Sequence, residues 1–256
     1  MKYAINTVLF PPDELKRALT YARELGVMLE ILPFWHEDSF CRFMDMHMTE
    51  LQGLVSSFHE PFYRCEHTAP KGTSAHREAI EGCRKTYEYA AKLNAKHIVF
   101  HHNNDAVSPN TYAEQVTYAA ENLQECNEIA AEYGLHNLVE NAGAIAKNTM
   151  LFDQEAFITL FDKIDNDCLI DLGHVHCNGW DVERIISALE TRIRAYHIHD
   201  NNGREDAHLP LGQGSLDMPG FLTQYKKHTP GAMLILEYGP SPISISQIRT
   251  DFERFE

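Results

Sequence analysis

The sequence contains no apolar run near the roughly 18 residues that a bilayer-spanning helix requires. It has no CxxC pair, because Cys41, Cys65, Cys83, Cys126, Cys168 and Cys177 are scattered along 256 residues. Spaced this way they read as reduced cytosolic thiols, most of them in the core. Basic residues are scarce. There are 22 Lys and Arg against 37 Asp and Glu, for a net charge of −15. A protein that grips a phosphate backbone needs a Lys/Arg surface, so nucleic acid is not an expected partner and an acidic soluble enzyme is. The opening MKYAINTVLFPPDELKR lacks a basic region followed by an apolar core and a cleavage site, so it does not read as a signal peptide. A cytoplasmic protein without membrane contact is expected. There is also no Pro/Gly/Ser linker, no low-complexity tract and no shift in composition, which predicts one domain over residues 1–256.

What the chain does have is a series of apolar runs that each end on a metal-ligand residue. In order they are LVSSFHEPF with His59, KHIVFHHNN with His101, LHNLVENAG with Glu140, DCLIDLGHVH with Asp171 and His174, RAYHIHDNN with His197, and AMLILEYG with Glu237. Hydrophobic content of 44% is enough for a full core. Between the runs lie helical patterns. Leu15, Ala18, Ala22 and Leu25 predict a helix over 12–25, ended by Gly26. Ile80, Cys83, Tyr87 and Ala90 mark the face of another. Val116, Ala119, Leu123, Cys126 and Ala130 predict one over 111–133, and further helices fit 153–164, 181–193, 216–227 and 245–254. Residues 2–9 and VMLEIL read as early strands.

The ligand-ended strands are spaced by 26 to 42 residues, which suits one strand–helix unit each. Eight such units in this length predict an α/β fold of the (β/α)8 TIM-barrel type, with its chemistry at the C-terminal ends of the strands. An open doubly wound sheet is the alternative. It is disfavoured because no Gly-rich phosphate turn follows the first strand, and because ligands from six strands converge more naturally on a barrel axis.

Glu140, Asp171, His197 and Glu237 come from four successive strands. Three carboxylates with one imidazole make a mixed oxygen and nitrogen donor set that suits Mn²⁺, Mg²⁺, Co²⁺ or Zn²⁺. Without a cation, three close carboxylates would repel one another. The plain reading of any one of them is a capping or salt-bridged carboxylate, and it would have to hold four times. A second set, His59, His101, His174, Asp206 and His208, either binds further metal or holds substrate hydroxyls. His36, His102, His176 and His199 read as packing or surface residues. His199 is the hardest of these to set aside, since HIH puts His197 and His199 on one strand face. Phe34, Trp35 and Phe62 follow early strands and read as core or as an apolar wall.

The segments VENAG, DLGH, HIHDNNG, DAHLPLGQG and LILEYG resemble those of the xylose isomerase-like TIM barrels. That superfamily includes sugar-phosphate isomerases and epimerases, ketose 3-epimerases and endonuclease IV. The resemblance runs from the first strand to Glu237. It implies a single metal held by a Glu, Asp, His and Glu quartet at Glu140, Asp171, His197 and Glu237. It also implies substrate contact by His174 and by an Arg shortly after the metal His. Arg204 is the candidate for that Arg, one residue further along than the pattern. The three-zinc centre of endonuclease IV also finds all its ligand types, at His59, His101, Glu140, Asp171, His174, His197, Asp206, His208 and Glu237. The chain departs from that branch in reading AINTVLF for a GAHVS-like start, DLGH for DTCH and IHDNNG for LNDS, and in its acidic charge.

The expected activity is isomerisation or epimerisation of a small sugar or sugar-like substrate by proton transfer beside a carbonyl, through an enediolate. Glu140 and Glu237 would exchange the proton, and a divalent metal would act as Lewis acid. The alternatives are an endonuclease IV-like zinc phosphodiesterase, and a metal-dependent dehydratase or lyase. The sequence carries no sign of oligomeric state.

Overall fold

The computed structural model describes residues 2–256. Eight parallel strands close into a barrel in chain order. They are β1 (Tyr3–Asn6), β2 (Met28–Ile31), β3 (Val55–His59), β4 (His97–Phe100), β5 (His136–Glu140), β6 (Asp167–Asp171), β7 (Ile193–Ile198) and β8 (Met233–Leu236). The outer ring comprises α1 (Lys16–Leu25), α2 (Asp38–Leu51), α3 (Ser74–Lys92), α4 (Tyr112–Glu132), α5 (Gln154–Leu160), α6 (Leu172–Cys177), α7 (Val182–Leu189), α8 (Met218–His228) and α9 (Ile245–Glu253). Among the described residues, no helix is long and apolar enough to cross a membrane.

The core has two parts. The larger fills the space between strands and helices, with Ile5, Leu29, Phe58, Ile98, Phe100, Val139, Ile170, Tyr196 and Leu236 pointing outward from the strands. A smaller one lies inside the barrel and consists of Ala4, Val99, Leu138, Leu169, Ala195 and Ile235, with Met28 and Met233 at its edge. Side chains alternate along a strand with period two. The residue two places after each inner one therefore also faces the barrel axis. In this chain those residues are Asn6, Glu30, His101, Glu140, Asp171, His197 and Glu237. An apolar plug thus supports a polar layer at the C-terminal mouth.

Helix starts follow local chemistry. Thr73, Asp153, Asp181, Asp217 and Ser244 each accept a hydrogen bond from a backbone N–H in the first turn of the helix they precede, which satisfies donors that the helix itself leaves free. Gly26 ends α1 at φ 67°, a conformation that favours glycine.

Several expected boundaries shift. The first strand stops at Asn6, whose side chain accepts from the Val8 N–H and opens a 3-10 turn over Thr7–Leu9. The helix expected from 12 starts at Lys16, after the Pro11–Pro12 pair. The helices over 153–164 and 181–193 end earlier, at Leu160 and Leu189. Helix α2 has no counterpart among the sequence patterns. Its apolar face is Phe40, Met44 and Leu51, but Met46 on the same helix is 75% exposed, which blurs the periodicity.

Candidate metal centre

The His197 imidazole is the hub of the mouth. Its Nδ1 lies 3.4 Å from Glu140 Oε2, 3.2 Å from Glu237 Oε2 and 3.8 Å from Asp171 Oδ2. The structure therefore brings together all four residues of the expected quartet, with one nitrogen facing an oxygen from each carboxylate. All four are almost completely buried. On the far side of the ring, Nε2 is 2.6 Å from Glu30 Oε1. Asn6 Nδ2 donates to both Glu30 Oε1 (3.0 Å) and Glu237 Oε1 (2.8 Å), and Ser57 Oγ donates to Glu30 Oε2 at 2.7 Å. Asp171 is fixed from two directions. Its backbone N–H donates to Asn141 Oδ1 at 2.7 Å, and its Oδ1 accepts from the His174 N–H at 2.6 Å, capping α6.

The second set surrounds the first. His59 Nε2 and His101 Nε2 are 3.1 Å apart, and they lie 3.6 and 3.1 Å from Glu140 Oε2. His59 Nδ1–H donates to the Glu60 carbonyl at 2.8 Å, which aims Nε2 into the mouth. His174 Nδ1 is 3.3 Å from Glu140 Oε1, and its Nε2 is 3.6 Å from Asp206 Oδ2. His208 Nε2 is 3.2 Å from Asp206 Oδ1. The loop that carries Asp206 and His208 is pinned by Asp200, whose carboxylate accepts from the N–H groups of Gly212, Gly214 and Leu216. A Cβ on Gly214 would lie 2.2 Å from the Asn201 carbonyl oxygen, so only glycine allows that closure.

Two residues join the cluster that the strand-end pattern did not single out. Glu30 sits mid-strand, followed by Ile31 and Leu32, so it does not end an apolar run. Its signal is a lone charge inside an otherwise apolar strand. His199, read from the sequence as a packing residue, has its Nε2 3.2 Å from Asp171 Oδ2 and 3.7 Å from Asp206 Oδ1, and its ring stacks on His208 at 3.8 Å. The shared face of HIH was the usable signal.

The electrostatics of the layer call for a cation. Burial pushes Glu237 up, and the charges of Glu140 and Asp171 add to this against His197 and His208. Burial would also raise Glu140, but the charges of His101 and His197 outweigh it and hold that carboxyl well below the usual range. Burial disfavours the charged form of His59, yet the nearby Glu140 carboxylate wins and raises it to about 9. His208 rises to about 9 against the same desolvation, through Asp206. The imidazoles thus do what a divalent ion does in a carboxylate cluster. Glu140 Oε2, His174 Nδ1, His197 Nδ1 and Asp206 Oδ1 are buried without a hydrogen-bond partner, which is costly for polar atoms unless something satisfies them. The oxygen and nitrogen donors fit a divalent metal. Glu30–His197–Glu237, His59–His101–Glu140, His174–Asp206–His208 and His199–His208–Glu237 are each compact enough to share an ion.

Above the cluster opens a cavity of about 430 Å³, within the usual size for small-molecule sites. Phe34, Phe62 and Tyr63 form one wall, and Lys147 and Asn104 add polar groups. Arg204 is not at the cavity. It is exposed, and its backbone N–H bonds to Asn202 Oδ1 in a local turn. The cation at the rim is instead Lys147, whose Nζ is 2.8 Å from Asp206 Oδ2. Trp35 also points elsewhere. Its indole N–H donates to Thr86 Oγ1, and its ring packs on Phe40 and Tyr89. His102 is buried among Phe100, Phe152 and Phe157, His176 meets Ser215 and His36 meets Glu37, all outside the cluster.

The architecture defines a (β/α)8 barrel with a histidine and carboxylate cluster at its C-terminal mouth. Residues 36–255 match the model of the xylose isomerase-like TIM barrel family, and the chain belongs to that family. It is 30% identical over 163 residues to an uncharacterised protein, MJ1614, of Methanocaldococcus jannaschii, covering 60% of this chain and 61% of that one. The chain thus aligns with less than two thirds of that relative's length. Among solved structures, a D-tagatose 3-epimerase-like protein superposes with TM-score 0.80 at 20% identity, over 99% of this chain and 97% of that one. The IolI protein with a bound zinc atom superposes with TM-score 0.79 at 19% identity, over 99% and 96%. At these identities the likeness establishes the fold.

Proposed function

We propose that the protein is a divalent-metal-dependent isomerase or epimerase of a small sugar or sugar-like molecule. The observation that carries this reading is the placement of Glu140 and Glu237. They stand three strands apart on the barrel, yet each reaches within 3.4 Å of the same His197 nitrogen. Two carboxylates on different sides of one small cavity are what proton removal and return beside a carbonyl require. Glu140, Asp171, His197 and Glu237 would hold the ion. When bound, a divalent metal polarises carbonyl and hydroxyl oxygens and stabilises developing negative charge. One glutamate takes the proton from the carbon next to the carbonyl, and the other delivers a proton either to the former carbonyl carbon, giving isomerisation, or to the opposite face of the same carbon, giving epimerisation. His174 and Lys147 orient hydroxyl groups, while Phe34, Phe62 and Tyr63 cover the apolar face of the sugar and limit water. Two structurally similar proteins, a D-tagatose 3-epimerase-like protein and a D-allulose 3-epimerase in complex with D-allulose, support the same substrate class.

The test is exchange of a ketose C–H proton with deuterated water in the presence of Mn²⁺ or Mg²⁺. Glu140→Gln and Glu237→Gln should each abolish it. Retained exchange in both variants would sink the two-glutamate scheme.

A second reading, zinc-dependent cleavage at abasic sites, draws on the close packing of His59, His101, His174, Asp206 and His208 around the quartet. Elemental analysis of protein purified without chelator, with an abasic-duplex cleavage assay, separates the two. Several zinc ions per chain together with cleavage would favour the nuclease. The net charge of −15 weighs against duplex binding.

A further inference from the structure

Behind the mouth lies a second group of ligand-type side chains that the proposed reaction does not use. Glu60 follows β3, Cys65 and His67 stand in the loop after it, and Cys83 is on α3. All four are buried, with exposures of 0%, 2%, 0% and 0%. One donor atom from each lies within 4.8 Å of all the others. The two sulfurs are 3.7 Å apart, and His67 Nε2 lies 3.4 Å from Cys65 Sγ, 3.9 Å from Cys83 Sγ and 2.9 Å from Glu60 Oε2.

We propose that Glu60, Cys65, His67 and Cys83 form a buried tetrahedral metal site that takes Zn²⁺ as a structural ion. A tetrahedral zinc with Zn–S of about 2.3 Å and Zn–N of about 2.0 Å places its sulfurs ~3.8 Å apart and sulfur from nitrogen ~3.5 Å. The Cys65–Cys83–His67 triangle approaches these edges, at 3.7 Å between the sulfurs and 3.4 and 3.9 Å from each sulfur to the nitrogen. Three ligand-type groups converge on one ring nitrogen, which can offer a single proton or a single lone pair. An ion at the centre resolves that convergence. The mixed sulfur, nitrogen and oxygen donor set also differs from the thiol-free mouth, so the site prefers a softer metal.

Loading releases the two thiol protons, and the proton that His67 Nε2 shares with Glu60 Oε2 leaves or moves to Nδ1, so that two thiolates, one carboxylate and a neutral imidazole surround the dication. The other oxygen of Glu60 is already satisfied, because Oε1 accepts the His101 N–H at 3.0 Å. The Glu60 carbonyl holds His59 at 2.8 Å. An ion here therefore fixes the backbone that aims two histidines of the mouth. Cys65 and Cys83 are free, and the sequence pattern reads them as plain core thiols because Glu60, Cys65 and His67 lie in a loop while Cys83 stands in the middle of α3.

The experiment uses protein produced in zinc-supplemented medium, and a parallel cobalt-substituted preparation. Zinc K-edge absorption of the wild type should show a sulfur shell at about 2.3 Å. The cobalt form should show a thiolate-to-Co²⁺ charge-transfer band that persists in Asp171→Asn and disappears in Cys65→Ser and Cys83→Ser, with Cys168→Ser as the buried-thiol control. A zinc spectrum with only nitrogen and oxygen neighbours, or no retained zinc, would overturn the proposal on the wild type alone, whether or not the cysteine variants fold.

Discussion

Glu30 Oε1 lies 2.6 Å from His197 Nε2, inside the barrel and within the polar layer at its C-terminal mouth. The pairing keeps the Nε2 proton on the Glu30 side and leaves Nδ1 to face Glu140, Asp171 and Glu237. A carboxylate behind a metal-ligating histidine fixes its tautomer and raises its basicity. Glu30→Gln keeps the shape but weakens the acceptor, so Mn²⁺ affinity measured by calorimetric titration should fall roughly 10–100-fold. Far-UV circular dichroism should not change. Wild-type affinity in the variant would show that Glu30 does not tune the ligand.

The barrel and the quartet were legible in the sequence for one physical reason. A strand buried on both faces must be apolar until it leaves the barrel, so a charged residue at its end stands out. Glu140, Asp171, His197 and Glu237 all obey that rule. Glu30 does not, because the apolar run continues past it through Ile31, the end of β2, and Leu32. His199 stands one alternation past His197 and reads as ordinary strand exit until its contact with Asp171 is seen. Arg204 illustrates the opposite failure. The family resemblance implied substrate contact for an Arg shortly after His197, but the turn built on Asn202 sends Arg204 to the surface. Lys147, which does reach the rim, comes from the loop after β5, where nothing in local spacing marks it.

Metal should stabilise the fold by mass action. Binding at 100 times Kd contributes about 2.7 kcal/mol, which for a chain of this size raises Tm by roughly 5–11 °C. Differential scanning fluorimetry with and without Mn²⁺ checks this. Asp171→Asn keeps an oxygen to cap α6 through the His174 N–H but removes one of three carboxylates. It should lose most of the Mn²⁺-dependent shift, and the metal-free Tm should also fall, because burial would raise Asp171 but the neighbouring histidines, His174 first, outweigh it and hold that carboxyl below its usual range. An undiminished shift in Asp171→Asn would exclude this carboxylate as a ligand.

His102 gives a pH dependence separate from metal binding. Burial among aromatic rings lowers its pKa from 6.5 to about 3. The unfolded chain takes up a proton below pH 6.5 that the folded chain refuses until about pH 3. Stability contributed by the neutral ring is therefore complete above pH 6.5 and lost as pH falls through this window, by up to about 1.4 kcal/mol per pH unit. His102→Phe removes that titration. Urea midpoints of the variant and the wild type should run parallel above pH 6.5 and diverge below it, with the variant falling less. Parallel curves throughout would show that His102 is protonated or solvated in the folded state.

Gly173, the second residue of α6, tests how tightly the mouth is packed. A Cβ there would lie 1.9 Å from Cε1 and 2.3 Å from Nε2 of His199. His199 is fully buried and stacked on His208, so the ring has no free space to enter. Overpacking of this kind costs about 1–3 kcal/mol, and Gly173→Ala should lower Tm by roughly 2–12 °C and displace the imidazole from Asp171. Removing the obstacle should reverse the first effect, so Gly173→Ala with His199→Ala should regain most of the lost Tm relative to His199→Ala alone. Thermal unfolding of the two single variants and the double variant measures this coupling. If the two changes simply add, His199 does not occupy the position next to Gly173, and the contact between His199 and Asp171 loses its steric basis.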